Sequence, residues 1–290
     1  MTSRRRQVHG VLVALALVGL GCDSGSRGRD ASPSTTLRSS QVSVRLDLPG
    51  GSAPSVSILA FRAEAIDMAA SDVLGAVDPL VAPSPDSSCE LRDVAGVARR
   101  VRAQGGSLNL QELGGVDLQV ESEELLRPEP RVYPPLADVV SGVIAEAGPR
   151  DLDVLPSALM LNLRSSAGER TAVRLSVPRA PVVLDDSENP LDPDTRVEAH
   201  GDLVLRISGP PRTFLELRPF GAPVAIACAP SSSGWVVVPH DLLVKLMAAA
   251  GRAPVSFEAV WRESRLLQSG RESTGISFEA RSSAVLELRP

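Results

Sequence analysis

The chain is short of aromatic residues. Phe, Trp and Tyr make up 3% of its 290 residues, and Tyr133 is the only tyrosine. That argues against a base-stacking platform and against an aromatic sugar-binding face. Lysine is nearly absent too: Lys245 stands alone and arginine supplies the other fixed positive charges. So strong a bias matches a G+C-rich coding sequence better than a binding signal. Charges of both signs are interspersed, with a net charge of −5, so nucleic acid is not an expected partner. Histidine is scarce: beyond His9 there are only His200 and His240. No C-x-x-C and no H-x-x-x-H occurs, and the acidic run Asp185–Asp194 lacks the D-x-D/N-x-D/N-G spacing of a calcium loop. No metal and no cofactor is expected. A G-x-S-x-G nucleophile turn is missing, and Gly105-Gly106 and Gly114-Gly115 run into strands rather than into a helix that could cradle phosphate. Glu121, Glu123 and Glu124 read as an exposed segment. No catalytic residue is assigned.

The amino terminus is the most specific signal present. Arg4, Arg5 and Arg6 precede the apolar run Val11–Leu20, and Gly21 precedes Cys22. The run is about ten residues, roughly 15 Å as a helix, against a hydrocarbon core of roughly 30 Å. It is too short to span a bilayer and has the three regions of an export leader. Residues 1–21 resemble the type II signal peptide of bacterial lipoproteins, with Cys22 as the lipidated first mature residue. Leucine stands at Leu20 rather than three places before the cysteine, where Gly19 lies. Loss of this leader removes three arginines and takes the net charge to about −8. The resemblance implies attachment to the membrane through an N-terminal lipid, at the outer membrane or the periplasmic face of the inner one. Residues 22–40, rich in Gly, Ser and Pro, are expected to form a flexible tether.

Two cysteines remain, Cys89 and Cys228. In an exported protein disulfides persist, and a bridge between them would close a loop of about 140 residues. The alternative is two thiols buried singly as small hydrophobes.

Alternation dominates the rest. Val42, Val44, Leu46 and Leu48 share one face of a strand, Pro49-Gly50-Gly51 turns the chain, and residues 55–62 form the partner. Leu108 and Leu110, then Val116, Leu118 and Val120, then Leu159, Leu161 and Leu163, then Val173, Leu175 and Val177 continue the period of two. Residues 136–147 fit two patterns: helical spacing from Leu136 to Ala147, or β-branched pairs around a kink at Ser141-Gly142. Beyond 198, strands are expected at Leu203–Ile207, Leu215–Leu217, Val224–Cys228, Trp235–Pro239, Val255–Trp261, Ile276–Ala280 and Ala284–Leu288. One short helix, Asp241 to Ala250, interrupts them, with Gly251 as its stop.

The expected fold is therefore mainly β. It has two antiparallel β-rich domains: residues 41–182, then a linker at 183–197, then an immunoglobulin-like sandwich at 198–290 with one inserted helix. The order of the strand ending at Cys228, Gly234–Pro239, His240–Leu243 and Val255–Arg262 resembles a domain repeated in uncharacterised lipoproteins of gliding, predatory soil bacteria. Residues from Cys89 through Pro181 are similar to the module that precedes it there. The resemblance implies a surface or periplasmic lipoprotein and no activity.

The expected function is an exported, lipid-anchored, non-enzymatic envelope protein that binds or supports an envelope protein or polysaccharide. One alternative is a carbohydrate- or peptidoglycan-binding module, which requires an exposed cluster containing Trp235 or Trp261. Another is a hydrolase using His240, which requires a serine or cysteine within its reach in a pocket. A third is strand addition to an open sheet edge.

Overall fold

Val42, Val44 and Leu46 are fully buried, and their alternation makes β1 (Thr36–Asp47). In the computed structural model this strand pairs antiparallel with β2 (Ser55–Ile66), setting Leu46 opposite Val56 and Val44 opposite Ile58. The structure describes residues 36–48, 53–66, 88–93, 107–113, 115–121, 123–132, 140–164, 168–191, 197–198, 200–222, 224–251, 253–269, 272–286 and 288–289. The expected leader, Cys22 and the expected tether as far as residue 35 lie outside these. Residues 36–40, expected in the tether, are already strand. Backbone pairing with β2 orders them although their side chains show no apolar alternation.

Beyond β2 the sheet continues through β4 (Ser107–Glu112), β8 (Val140–Asp151) and β7 (Glu129–Val132). From Val140 the ambiguous segment 136–147 is strand; residues 136–139 lie outside the described residues. Its helical spacing loses to pairing on both sides, with β2 and β4 and with β7. A bulge between Val56 and Ile58 faces Gly148. That glycine has φ +93°, and a Cβ there would lie 2.6 Å from the Val56 carbonyl oxygen, so only glycine fits the approach. Against this sheet lies a second one, in the order β10 (Arg170–Ser176), β9 (Ala158–Arg164), β5 (Val116–Val120), β6 (Glu123–Leu126). Leu118, Leu159, Leu161 and Leu175 close the first core against β1 and β2. Each such leucine contributes about 1.5–3 kcal/mol by leaving water.

The second core is built the same way. β11 (Val182–Leu184), β13 (Leu203–Ser208) and β16 (Trp235–Val238) form one sheet. Opposite stand β14 (Thr213–Pro219), β15 (Val224–Cys228), and parts of β17 (Val255–Ser269) and β18 (Glu272–Leu286). Helix α1 (His240–Ala250) inserts Leu243 and Leu246 into this core. Its first N–H is held by the Asp202 carboxylate at 2.9 Å, and Gly251, at φ +62°, donates its N–H to the Met247 carbonyl. The expected linker 183–197 opens inside β11, where Val183 is buried in the core.

The two cores share one sheet. β17 and β18 are fifteen residues each and form a hairpin that runs through both. Val255, Phe257 and Leu286 sit in the second core, and Phe278 and Ile276 in the first, where Trp261 packs edge-on against Phe278 at 5.7 Å. The strands expected separately at 276–280 and 284–288 are thus one strand to Leu286, because Ile276, Phe278, Ala280, Ala284 and Leu286 keep one parity. β18 also pairs with β1, and does so in parallel, Val44 opposite Phe278. Parallel pairs also join β4 to β8 and β12 (Val197–Glu198) to β19 (Leu288–Arg289), so among the described residues the antiparallel pattern has three exceptions. β3 (Cys89–Asp93) completes the sheet as an edge strand on β15. The order is β3-β15-β14-β17-β18-β1-β2-β4-β8-β7. Among the described residues the architecture is mainly β, with facing sheets and one short helix.

Candidate functional site

At one end of the second core two connections converge. The first joins β13 to β14 through Gly209-Pro210-Pro211-Arg212. Thr213 donates its N–H to the Pro210 carbonyl at 3.2 Å and its hydroxyl to the same oxygen at 2.7 Å. The residues Pro210 to Thr213 therefore close a β-turn, and its third position, Arg212, has φ +72°. A turn with proline second and positive φ third follows the type II pattern, where glycine is favoured. An arginine there costs about 1–2 kcal/mol relative to glycine.

The second connection joins β15 to β16. Ser231 holds it: its hydroxyl accepts the Trp235 N–H at 3.1 Å and lies 3.0 Å from the Ser233 hydroxyl, while Gly234 donates its N–H to the Ser231 carbonyl. Gly234 has φ +85°, and a Cβ there would lie 2.7 Å from the Ile207 carbonyl oxygen. The loop is pinned against β13. Between the two connections lies a half-open cleft of about 630 Å³. Pro210, Pro211, Ala229, Pro230 and Phe214 give it an apolar lining; Arg212, Ser232, Ser264 and Arg262 give it polar groups.

Arg262 leads from the cleft into a buried ionic ladder on the same sheet face. Arg281 donates to Glu279 at 2.6 Å and to Glu258 at 2.9 Å, Arg262 pairs with Glu279, and Ser256 donates to Glu258 at 2.9 Å. Arg218 approaches Glu216 to 2.8 Å, yet neither Glu216 oxygen receives a hydrogen bond, so this contact is charge proximity without an aligned donor. The consequences differ along the ladder. Burial dominates at Glu216, which Arg218 only partly offsets, and its carboxyl is pushed above the usual range. At Glu279 burial pushes the same way, but Arg281 and Arg262 together hold the carboxyl below that range. Burial opposes the charge on Arg281, and Glu279, Glu258 and Glu216 more than restore it.

Cys89 and Cys228 face one another across β3 and β15 and are disulfide-bonded, with a 4.0 Å separation between their Cα atoms. Cys22 lies outside the described residues. His240 is exposed at the start of α1 and lines neither the cleft above nor an apolar hollow of about 390 Å³ beside Val183. Trp235 is half-buried under the Arg206 guanidinium, 5.7 Å from its ring centre, and Arg206 in turn pairs with Glu188. Trp261 is half-buried against the first core. The Asp185 carboxylate is engaged by the backbone N–H groups of Ser187 and Asn189. Among the described residues no group of three or more His, Cys, Asp or Glu is placed to hold a metal ion, and no helix is long and apolar enough to cross a membrane.

No family model, curated protein or solved structure matches the chain. What can be read of the site comes from its own geometry. In the sequence, Gly209-Pro-Pro211 merely separates the strands at Leu203–Ile207 and Leu215–Leu217, and Arg212 draws no notice. The signal was there: a Pro-Pro turn followed by arginine where glycine would be expected. The alternating Glu and Arg residues of β14, β17 and β18 drew no separate reading from the sequence, where the charges are interspersed throughout. Nothing in the local pattern distinguishes a solvated face from a covered one.

Proposed function

We propose that this protein is an exported, lipid-anchored envelope protein whose welded pair of β-sandwiches is a rigid, non-enzymatic binding or supporting body. The observation that carries the reading is the Cys89–Cys228 disulfide. Such a bond persists in oxidising compartments, which agrees with the leader ahead of Cys22. The shared hairpin of β17 and β18 adds support, since a sheet continuous between two cores suits a body that holds its shape. Trp235 and Trp261 stand apart in different surroundings, which does not favour an aromatic carbohydrate platform. His240 at an exposed helix start does not favour a hydrolase.

Intact mass of the membrane-extracted protein tests this, with alkylation before and after reduction. The expected product begins at Cys22, carries acyl chains, and alkylates Cys89 and Cys228 only after reduction. A soluble product without lipid would overturn the anchor.

A further inference from the structure

We propose that the cleft between the β13–β14 turn and the β15–β16 loop binds a small ligand through one carboxylate held by Arg212, with the ligand's apolar body against Phe214 and Pro230. Three observations carry this. First, Arg212 occupies a left-handed turn position that glycine would fill without strain. Departures of this kind concentrate where a side chain has work to do. The Arg212 guanidinium has no ion pair or hydrogen bond among the described residues, although it borders a cleft. Arginine's planar fork matches a carboxylate in two-point contact.

Second, the charge is right for a monoanion. Arg262, the other arginine of the cleft, is already paired with Glu279. Among the described residues Arg212 is therefore the cleft arginine without a carboxylate partner, and one guanidinium fork matches one carboxylate.

Third, the walls are fixed in advance. Thr213 doubly ties one connection, and Ser231 and Gly234 tie the other. Preformed walls spare a ligand the cost of ordering them. The volume falls in the range of small-molecule sites. The proposal deepens the binding role given above; it is read by ligand titration, so its failure is distinct from failure of the anchor, which is read by mass.

The test is calorimetric titration of the full mature protein in detergent micelles. The probes are N-acetyl-Ala-Ala, its C-terminal amide, glucuronic acid, glucose and inorganic phosphate. At least one acid is expected to bind about ten- to a hundredfold more tightly than its neutral counterpart. Which acid does so separates a peptide carboxylate from a sugar carboxylate. Arg212→Gln is expected to erase the acid preference, and Arg212→Gly to erase it with the melting temperature unchanged or raised. Arg212→Lys should retain part of it. Equal affinity for acid and neutral forms, or an unchanged acid affinity in Arg212→Gln, would overturn the proposal. So would phosphate binding more tightly than both acids, or no saturation by either acid at about 10 mM.

Discussion

Glu216 and Glu279 lie on one face of one sheet, two strands apart, and are pushed in opposite directions. The difference lies first in the arginines: the charges of Arg281 and Arg262 outweigh burial at Glu279, whereas Arg218 and Arg281 only partly offset burial at Glu216, and hydrogen bonding adds to the contrast. Glu279 receives aligned donors from Arg281, whereas Glu216 has a nearby charge and no donor. Glu216, with its carboxyl raised, contributes stability that is present below its unfolded pKa and is lost as pH rises through the folded value. Glu216→Gln is therefore expected to hold or raise stability at pH 7, with the gain fading towards pH 4. Glu279 is the reverse case: its contribution is present above the unfolded pKa and is lost as pH falls through the folded one. Glu279→Gln leaves Arg281 and Arg262 buried with less compensation and is expected to cost about 3 kcal/mol at pH 7, shrinking in acid. Denaturant titrations of both variants at pH 7 and pH 4 check the pair; a loss of similar size in Glu216→Gln at pH 7 would contradict the assignment. Neither direction was legible in the sequence, where both residues are simply acids in alternating strands.

Helix α1 was legible almost to the residue, because Leu242, Leu243, Leu246 and Met247 keep helical spacing and Gly251 ends it. Its cap was not: Asp202 comes from the turn before β13, and only the fold brings it to His240. Asp202→Ala is expected to cost about 1 kcal/mol, measurable as a shift in denaturation midpoint. β8 shows the opposite balance. Its local pattern suited a helix or a strand equally, and long-range pairing with β2 decided it. The bulge there leaves Gly148 no room for a side chain. Gly148→Ala should destabilise by about 2 kcal/mol or more, while the same change at Gly168, where nothing lies within 4 Å of the added atom, should meet only the backbone cost of positive φ. Comparing the two melting temperatures separates crowding from conformation.

Across the whole molecule, the long hairpin ties the fate of one core to the other. Phe257 and Phe278 sit in different cores on paired strands, so unfolding is expected as a single calorimetric transition rather than two. Two resolved transitions would show that the cores melt independently. The disulfide closes a loop of 139 residues, and in the chain-entropy model its reduction removes about 5 kcal/mol. Cys89→Ser with Cys228→Ser, compared in denaturant with the oxidised protein, should lose about 2–5 kcal/mol. By itself, the sequence determined the β class, most of the described strands and the helix at His240–Ala250. These depend on side-chain period and local composition, which any short window displays. Only the tertiary structure decided that β18 is one strand parallel to β1, that the two cores share a sheet, that charged faces are buried and that Arg212 borders a cleft. Each depends on which distant segment lies alongside, and a period of two is the same whether the opposite face meets water or protein.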